Sequence, residues 1–403
     1  MRSSVRAGGR GPRRAAAAAL LLPALLVPLA GATQAAARDN VSLPPVPSTL
    51  EDGQGCTPAS VKKTDQLPWA QAALDLEGAW RLSRGAGVTV AVVDTGAAPA
   101  KVPALEGQVI AGPDVVAGGS AGDDCVGHGT FLAGVVVGRQ VDGVRAAGVA
   151  PGARVLAVRA TDRKGATSAQ ALAKAIRAGT GAGVRIIAVA LGVTEASEDL
   201  KSAVREARDK GVLIVAPADP AGQGQGPSYP AALPGVLAVS AVGPDGAPPS
   251  RAGGKVAVAG ALTAPGVAVT GPGPGGPGQF TGSGDAVATA FVAGTAALVL
   301  ARQPDLTADQ LRRRLTGTGY GPSGGAALDP VQAIAATAVD GERAANASGA
   351  AAPPALARRA SADGPRQALV VAGSAAAVTA LVAGAAVVLP RARRRGWRPG
   401  RAG

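Results

Sequence analysis

The chain has 403 residues, 47% of them hydrophobic but only 2% aromatic, with 59 Gly, 32 Pro, two Cys and one His. A single imidazole excludes any site built on two, such as a two-His zinc motif, and the apolar fraction is too high for a chain disordered throughout. The net charge of +13 suggests nucleic acid until it is divided by segment: residues 1–37 carry five Arg and no acid, residues 391–403 six Arg and no acid, and the stretch between them only +2. A near-neutral body argues against a nucleic-acid partner.

In chain order, the N-terminus runs from Arg13 and Arg14 through an apolar Ala15–Ala30 stretch to the small residues Ala35, Ala36 and Ala37. This layout predicts a secretory signal peptide over 1–37, and Pro23 and Pro28 work against a retained membrane helix. A Pro-rich arm follows over 38–68. Export would place Cys56 and Cys125 in an oxidising compartment, so they are expected to pair. That bridge would close a loop of about 70 residues and tie the arm down near His128.

From Val88 onward, short apolar runs alternate with amphipathic stretches. Val88–Val93, Val155–Val158, Ile186–Ala190, Val212–Val215 and Val236–Val239 are apolar on both faces, as buried parallel strands are, while Ser168–Ala178 and Asp199–Lys210 have helical periodicity with charged outer positions. The alternation predicts an α/β fold, a parallel sheet flanked by helices, with ligand chemistry at the carboxyl ends of the strands. Residues 338–367 are Ala/Pro-rich with no apolar periodicity and are expected to be a linker. Ala368–Leu389 are 22 uncharged, apolar residues, enough for a transmembrane helix. The Arg-rich tail 390–403 behind it is expected in the cytoplasm, with the body on the opposite side.

Two residues carry chemistry in this frame. Asp94 ends the first strand in Val92-Val93-Asp94-Thr95-Gly96. His128 stands in Gly127-His128-Gly129-Thr130, ahead of the apolar run Phe131–Val137. A strand-end carboxylate and a helix-start imidazole are the orienter and general base of a nucleophilic triad. The other candidates fail. Asp123 and Asp124 lack the alternating carboxylate spacing of a calcium loop, and the glycine-rich run Gly271–Gln279 lacks the Lys-Ser/Thr ending of a phosphate loop and reads as a flexible turn. No metal and no cofactor is expected.

The blocks VTVAVVDTG, GHGTFLAGVV, GVAPGARVLAVRA, SYPAALPGVLAVSAV and ATAFVAGTAALV, in this order over residues 69–337, resemble the subtilisin-like serine peptidases, or subtilases. The segment LPWAQAALDLEGAW, the Cys just before GHGT, the N-terminal arm and the C-terminal apolar span are similar to one branch, the mycosins, membrane-anchored proteases associated with type VII secretion. The resemblance implies a subtilisin-like fold over 69–337, with Asp94 and His128 as two members of a triad.

At the third member the chain departs from the family. The G-T-S-x-A block that carries the nucleophile aligns with Gly284-Asp285-Ala286-Val287-Ala288, so the nucleophile position is Ala286. A methyl group cannot attack a carbonyl, and loss of the nucleophile costs about 10⁶-fold in turnover, a figure established on subtilisin itself. The neighbouring hydroxyls of Ser283 and Thr289 stand too far along the chain to replace it. The family's oxyanion-hole Asn aligns with Asp219, which at neutral pH accepts hydrogen bonds and does not donate them. The segment whose backbone pairs with substrate aligns with Ala190-Leu191-Gly192, and backbone pairing needs no side chain.

Two readings remain. One is a membrane-anchored, inactive subtilase-fold protein that binds an exported polypeptide or stabilises a type VII secretion complex in the membrane. A plain cell-wall or peptide-binding module differs from it only in partner. The other is an active serine endopeptidase with an unrecognised nucleophile.

Overall fold

The structure, a computed structural model, describes residues 41–219, 226–249, 261–319 and 326–336. The expected signal peptide, linker, transmembrane helix and cytoplasmic tail lie outside these residues.

The fold is organised around strand β1, Thr89–Asp94. Its side chains alternate between two cores: Val90 and Val92 pack on one face of the sheet, Ala91 and Val93 on the other. A strand apolar on both faces needs layers above and below it. Strands β2 (Val109–Asp114), β3 (Arg154–Arg159), β4 (Ile186–Val189), β5 (Leu213–Pro217), β6 (Leu237–Val242) and β7 (Leu262–Pro265) complete a seven-stranded sheet in the order β2-β3-β1-β4-β5-β6-β7. All six pairings are parallel. The predicted α/β class and all five predicted strands are present, shifted by up to three residues at their ends. The prediction did not include β2, whose Gly112-Pro113 pair breaks the apolar pattern. Proline is tolerated there because β2 is an edge strand.

One face of the sheet is covered by α4 (Ala169–Gly181) and α5 (Glu198–Asp209), capped at their N-termini by Ser168 and Ser197. The other face is covered by α3 (His128–Val137) and α6 (Asp285–Arg302). Helix α6 is long and apolar enough to cross a membrane, but 83% of its apolar window is buried inside the protein, so it is a core helix. Short helices α1 (Trp69–Ala73) and α2 (Leu76–Leu82) precede the sheet; α7 (Ala308–Gly317) and α8 (Pro330–Ala335) follow it.

The arm lies against this body as an extended segment held by backbone hydrogen bonds. Val46 N–H donates to Thr281 O and Thr281 N–H to Pro44 O, which adds the arm to the hairpin β8 (Val269–Pro272) and β9 (Gln279–Gly282). Residues 273–278 of the glycine-rich run form the turn of that hairpin, and a Cβ on Gly278 would lie 2.1 Å from Ser60 O, so close packing against the arm requires glycine there. Further along, Cys56 and Cys125 form a disulfide, Thr57 N–H donates to Cys125 O at 2.9 Å, and Thr57 Oγ1 donates to Val126 O at 2.6 Å. The arm is thereby fastened two residues before His128. Cys56→Ser is expected to lower unfolding stability by about 2–4 kcal/mol, read as a lower guanidinium midpoint. An unchanged midpoint would mean that the arm's hydrogen bonds alone hold it.

Candidate functional site

The strand order runs outward from β1 in both directions, to β3 on one side and β4 on the other, and a crevice opens above the carboxyl end of β1. Asp94 is the last residue of β1 and is fully buried. His128 is the first residue of α3, and the local sequence puts it there for steric reasons. Gly127 has φ 86°, a conformation that turns the chain into the helix. At Gly129 a Cβ would lie 2.0 Å from Gly96 O, so only glycine lets α3 approach the end of β1 this closely.

The imidazole meets the carboxylate squarely. His128 Nδ1–H donates to Asp94, with both Oδ1 and Oδ2 at 3.0 Å. Burial alone would lower the pKa of His128, but the adjacent Asp94 charge and hydrogen bond, with a smaller contribution from Asp124, outweigh it, and the pKa rises above 6.5.

Behind this pair lies a polar network that sequence reasoning did not find. Asp124, considered above only as a calcium ligand and excluded, accepts hydrogen bonds from Gly127 N–H (2.7 Å), Thr130 N–H (2.8 Å), Thr130 Oγ1 (2.7 Å) and Thr95 Oγ1 (2.8 Å). Burial raises its pKa to about 6 despite these bonds. Thr95 Oγ1 in turn accepts from Gly129 N–H at 2.9 Å. The other excluded acid, Asp123, pairs with Arg159 at the end of β3. That guanidinium also donates to Asp114 Oδ2 at 2.9 Å and to Thr95 O at 3.0 Å. Both acids therefore hold the loop that carries Cys125 and His128. Asp124 is held by Gly127 and Thr130 nearby and by Thr95 just past β1, while Asp123 reaches Arg159 at the end of β3.

A cavity of about 310 Å³ opens in front of His128 and gathers the remaining candidates: Ala190, Leu191 and Gly192 beyond β4, Asp219 beyond β5, and Ala286 in the first turn of α6. Asp94 stands behind His128. Size does not single this cavity out, since cavities of about 490 and 530 Å³ lie at the amino ends of the strands and along the arm, but neither is lined by a carboxylate or an imidazole. Ala190 N–H donates to Val93 O and Val193 N–H to Tyr229 O, so Leu191-Gly192 lie between two anchored residues on the wall. Sequence reasoning missed Ser48 and Thr49 of the arm, which line the same cavity beside Gly165 and Thr167. Leu50 N–H donates to Lys164 O, so this part of the arm is fixed against the 161–167 loop. No local signal in the sequence pairs segments so far apart.

Chemically, the arrangement can accept a proton at His128 and orient the imidazole through Asp94. Among the described residues no hydroxyl is hydrogen-bonded to His128. Ser283 Oγ accepts from Ala268 N–H at 2.9 Å, and Thr289 Oγ1 donates to Asp285 O at 2.8 Å within α6.

Because the folded pKa of His128 lies above 6.5, the Asp94 pairing stabilises the fold fully below about pH 6.5 and is lost as the pH climbs through the raised value. As the chain's one histidine, it gives a single imidazole resonance. That resonance is expected to titrate above 6.5 by NMR, and at a lower pH in Asp94→Asn, where the largest compensating charge is gone. Equal midpoints in the two proteins would contradict the pairing.

Residues 85–350 match the sequence profile of the Subtilase family, peptidase S8. The chain is 35% identical over 269 residues to a thermostable alkaline protease of Halalkalibacterium halodurans, covering 64% of this chain and 70% of that protein. It is 31% identical over 393 residues to Mycosin-1 of Mycolicibacterium smegmatis, covering 81% of this chain and 85% of that one. Among solved structures, MycP1 from Mycobacterium smegmatis superposes with a TM-score of 0.61 at 28% identity, covering 74% of this chain and 92% of that one. The MycP3 protease from the type VII (ESX-3) secretion system superposes at 0.59 and 30% identity, covering 73% and 97%. A sheet with β1 at its switch point, an Asp–His pair across its carboxyl end and relatives of this kind make the chain a member of the subtilase family, in its mycosin branch.

Proposed function

We propose that this protein is a proteolytically inactive mycosin, anchored in the membrane by residues 368–389 with its body outside, which acts by binding an exported polypeptide or stabilising a type VII secretion assembly. The observation that carries the reading is Ala286. It stands in the first turn of α6 on the wall of the cavity that also holds His128, where the family's nucleophile belongs. A methyl group there has no lone pair to attack a carbonyl and no proton for His128 to take. Asp219, on the same wall, adds an acceptor where an amide donor belongs, and loss of one such donor alone costs about 10²–10³ in turnover, as measured on subtilisin.

Binding does not need the missing hydroxyl. An extended peptide can pair with the Leu191-Gly192 segment by strand addition, with the arm at Ser48 and Thr49 as part of the wall. The secretion partner is supported by relatives: one solved neighbour, 30% identical over 73% of this chain, is described as a serine protease MycP1 that is an essential component of the type VII (ESX-1) secretion system.

The retained Asp94–His128 geometry favours a second reading, an active serine endopeptidase that processes exported proteins. Labelling of the full-length protein in detergent with an alkyl fluorophosphonate separates the two. The inactive reading expects no covalent adduct with the natural chain and a measurable one with Ala286→Ser plus Asp219→Asn. An adduct on the natural chain, lost in His128→Ala, would establish the endopeptidase instead. Co-purification of secretion components with the solubilised natural chain, unchanged in His128→Ala, is the matching expectation for a binding role.

A further inference from the structure

Asp94 has a polar neighbour besides His128. Thr95 Oγ1 lies 3.1 Å from Asp94 Oδ1 and 2.8 Å from Asp124 Oδ1, and it accepts from Gly129 N–H at 2.9 Å. All three side chains are buried. Two carboxylates thus flank one hydroxyl, and a hydroxyl has a single proton to donate. The shorter contact favours Asp124. Asp94 then faces a lone pair of Thr95 Oγ1, and its side-chain donor among the described residues is His128 Nδ1–H at 3.0 Å.

The charged groups around this hydroxyl differ in whether they change state near neutral pH. Burial works against the Arg159 guanidinium, but its bonds to Asp123 and Asp114 keep it charged while it donates to Thr95 O. Asp114, against the effect of burial, is held below the ordinary carboxylate range by the backbone N–H groups of Ala117 and Val116 and by Arg159. Helix α3 contributes the neutral Thr130 and the imidazole, and the arm the neutral Thr57. Asp124 is the acid that changes: burial pushes it up to about 6, against the pull of Thr130, Gly127 and Thr95. A proton taken from water onto Asp124 Oδ1 lets that oxygen donate to Thr95 Oγ1 and keeps a lone pair for Gly127 N–H. Thr95 is then free to turn its own proton to Asp94 Oδ1.

We infer that the Thr95 hydroxyl is a two-position hydrogen bond that ties the basicity of His128 to the protonation state of Asp124, which makes Thr95 and Asp124 positioning residues of the Asp94–His128 pair. Two effects act with the same sign. Neutral Asp124 removes a negative charge that helps to hold the imidazolium. Asp94, once it accepts from Thr95, is a poorer acceptor for Nδ1–H. Each weakens the hold of His128 on its proton, and by linkage a protonated His128 resists protonation of Asp124. The charge that the imidazole presents to the cavity is therefore set by two acids, one beside it and one behind Thr95. The inference goes beyond both readings of the cleft, because it concerns the imidazole whatever residue 286 does; an adduct on the natural chain would leave it standing.

The test follows the imidazole of the full-length protein, labelled with carbon-13 histidine and kept in detergent, by NMR from about pH 4 to about pH 8. The natural chain is expected to show a main step above 6.5 and a second, smaller inflection at lower pH, where Asp124 takes up its proton. In Asp124→Asn the second inflection is lost and the main step moves to lower pH. In Thr95→Val the second inflection falls to about half its amplitude or less, since only the direct charge effect of Asp124 remains. Thr95→Ser, which keeps the hydroxyl, restores it. Thr95→Ala takes the place of Thr95→Val should that variant fail to fold. A merely structural role for Thr95 would lower the thermal midpoint and leave both steps in place. A single step in the natural chain, or a second inflection undiminished in folded Thr95→Val or Thr95→Ala, would overturn the inference.

Discussion

The candidate site depends on the buried Asp124 carboxylate. Its four hydrogen bonds join the end of β1, through Thr95, to the first turn of α3, through Gly127 and Thr130. Asp94 and His128 sit one residue away from these contacts on either side, so the distance between carboxylate and imidazole is set by the network behind them. The cost of burying this acid is visible in its pKa, pushed up to about 6. Without its donors the group would be an unpaired buried charge, which proteins rarely tolerate. Its neighbours in the chain extend the hold: Asp123 to Arg159 on β3, and Cys125 to the arm. Three consecutive residues thus tie three parts of the molecule to one loop.

Against that rigid framework stand the side chains that line the cleft, Ala286 and Asp219 among them. Helix α6 keeps its place and its burial through Val287, Ala288 and Val292, because the downstream half of its block is packed on all sides and any change there would cost core contacts. Ala286 and Asp219 line solvent-accessible space, where replacement costs the fold little. Side chains that project into a cavity can vary at little cost to the fold, whereas supports that project into the core cannot. The Asp94–His128 pair belongs to both: it borders the cavity and it is buried, which gives it a physical reason to persist apart from proton transfer.

Much of the fold was legible because it repeats a simple physical pattern. Strands β1, β3, β4, β5 and β6 are apolar on both faces, and α4 and α5 carry one apolar stripe each, so periodicity alone identified them. Strand β2 was hidden by Gly112 and Pro113, and β7 to β9 are four residues each, too short for alternation to stand out. The residues of the site were legible as types in context: an Asp ending an apolar strand, a His between two glycines. The acids at 123 and 124 were visible and were tested against the wrong chemistry, because the partners that complete their networks, Thr95 and Arg159, lie 29 and 36 residues away. The wall formed by Ser48 and Thr49 carried no local signal.

What the sequence by itself determined is therefore the set of groups available: one imidazole, a strand-end carboxylate, a methyl at position 286, and carboxylates at 219 and 285. Those are matters of covalent identity, and no folding can add a nucleophile to alanine. Only the tertiary structure decided which of them meet. The 3.0 Å approach of His128 to Asp94, the convergence of Asp219, Asp285 and Ala286 on one cavity, and the closing of its rim by the arm all depend on contacts between segments tens to hundreds of residues apart. Such contacts are set by the packing of two cores against one sheet, a property of the whole chain that no local window contains.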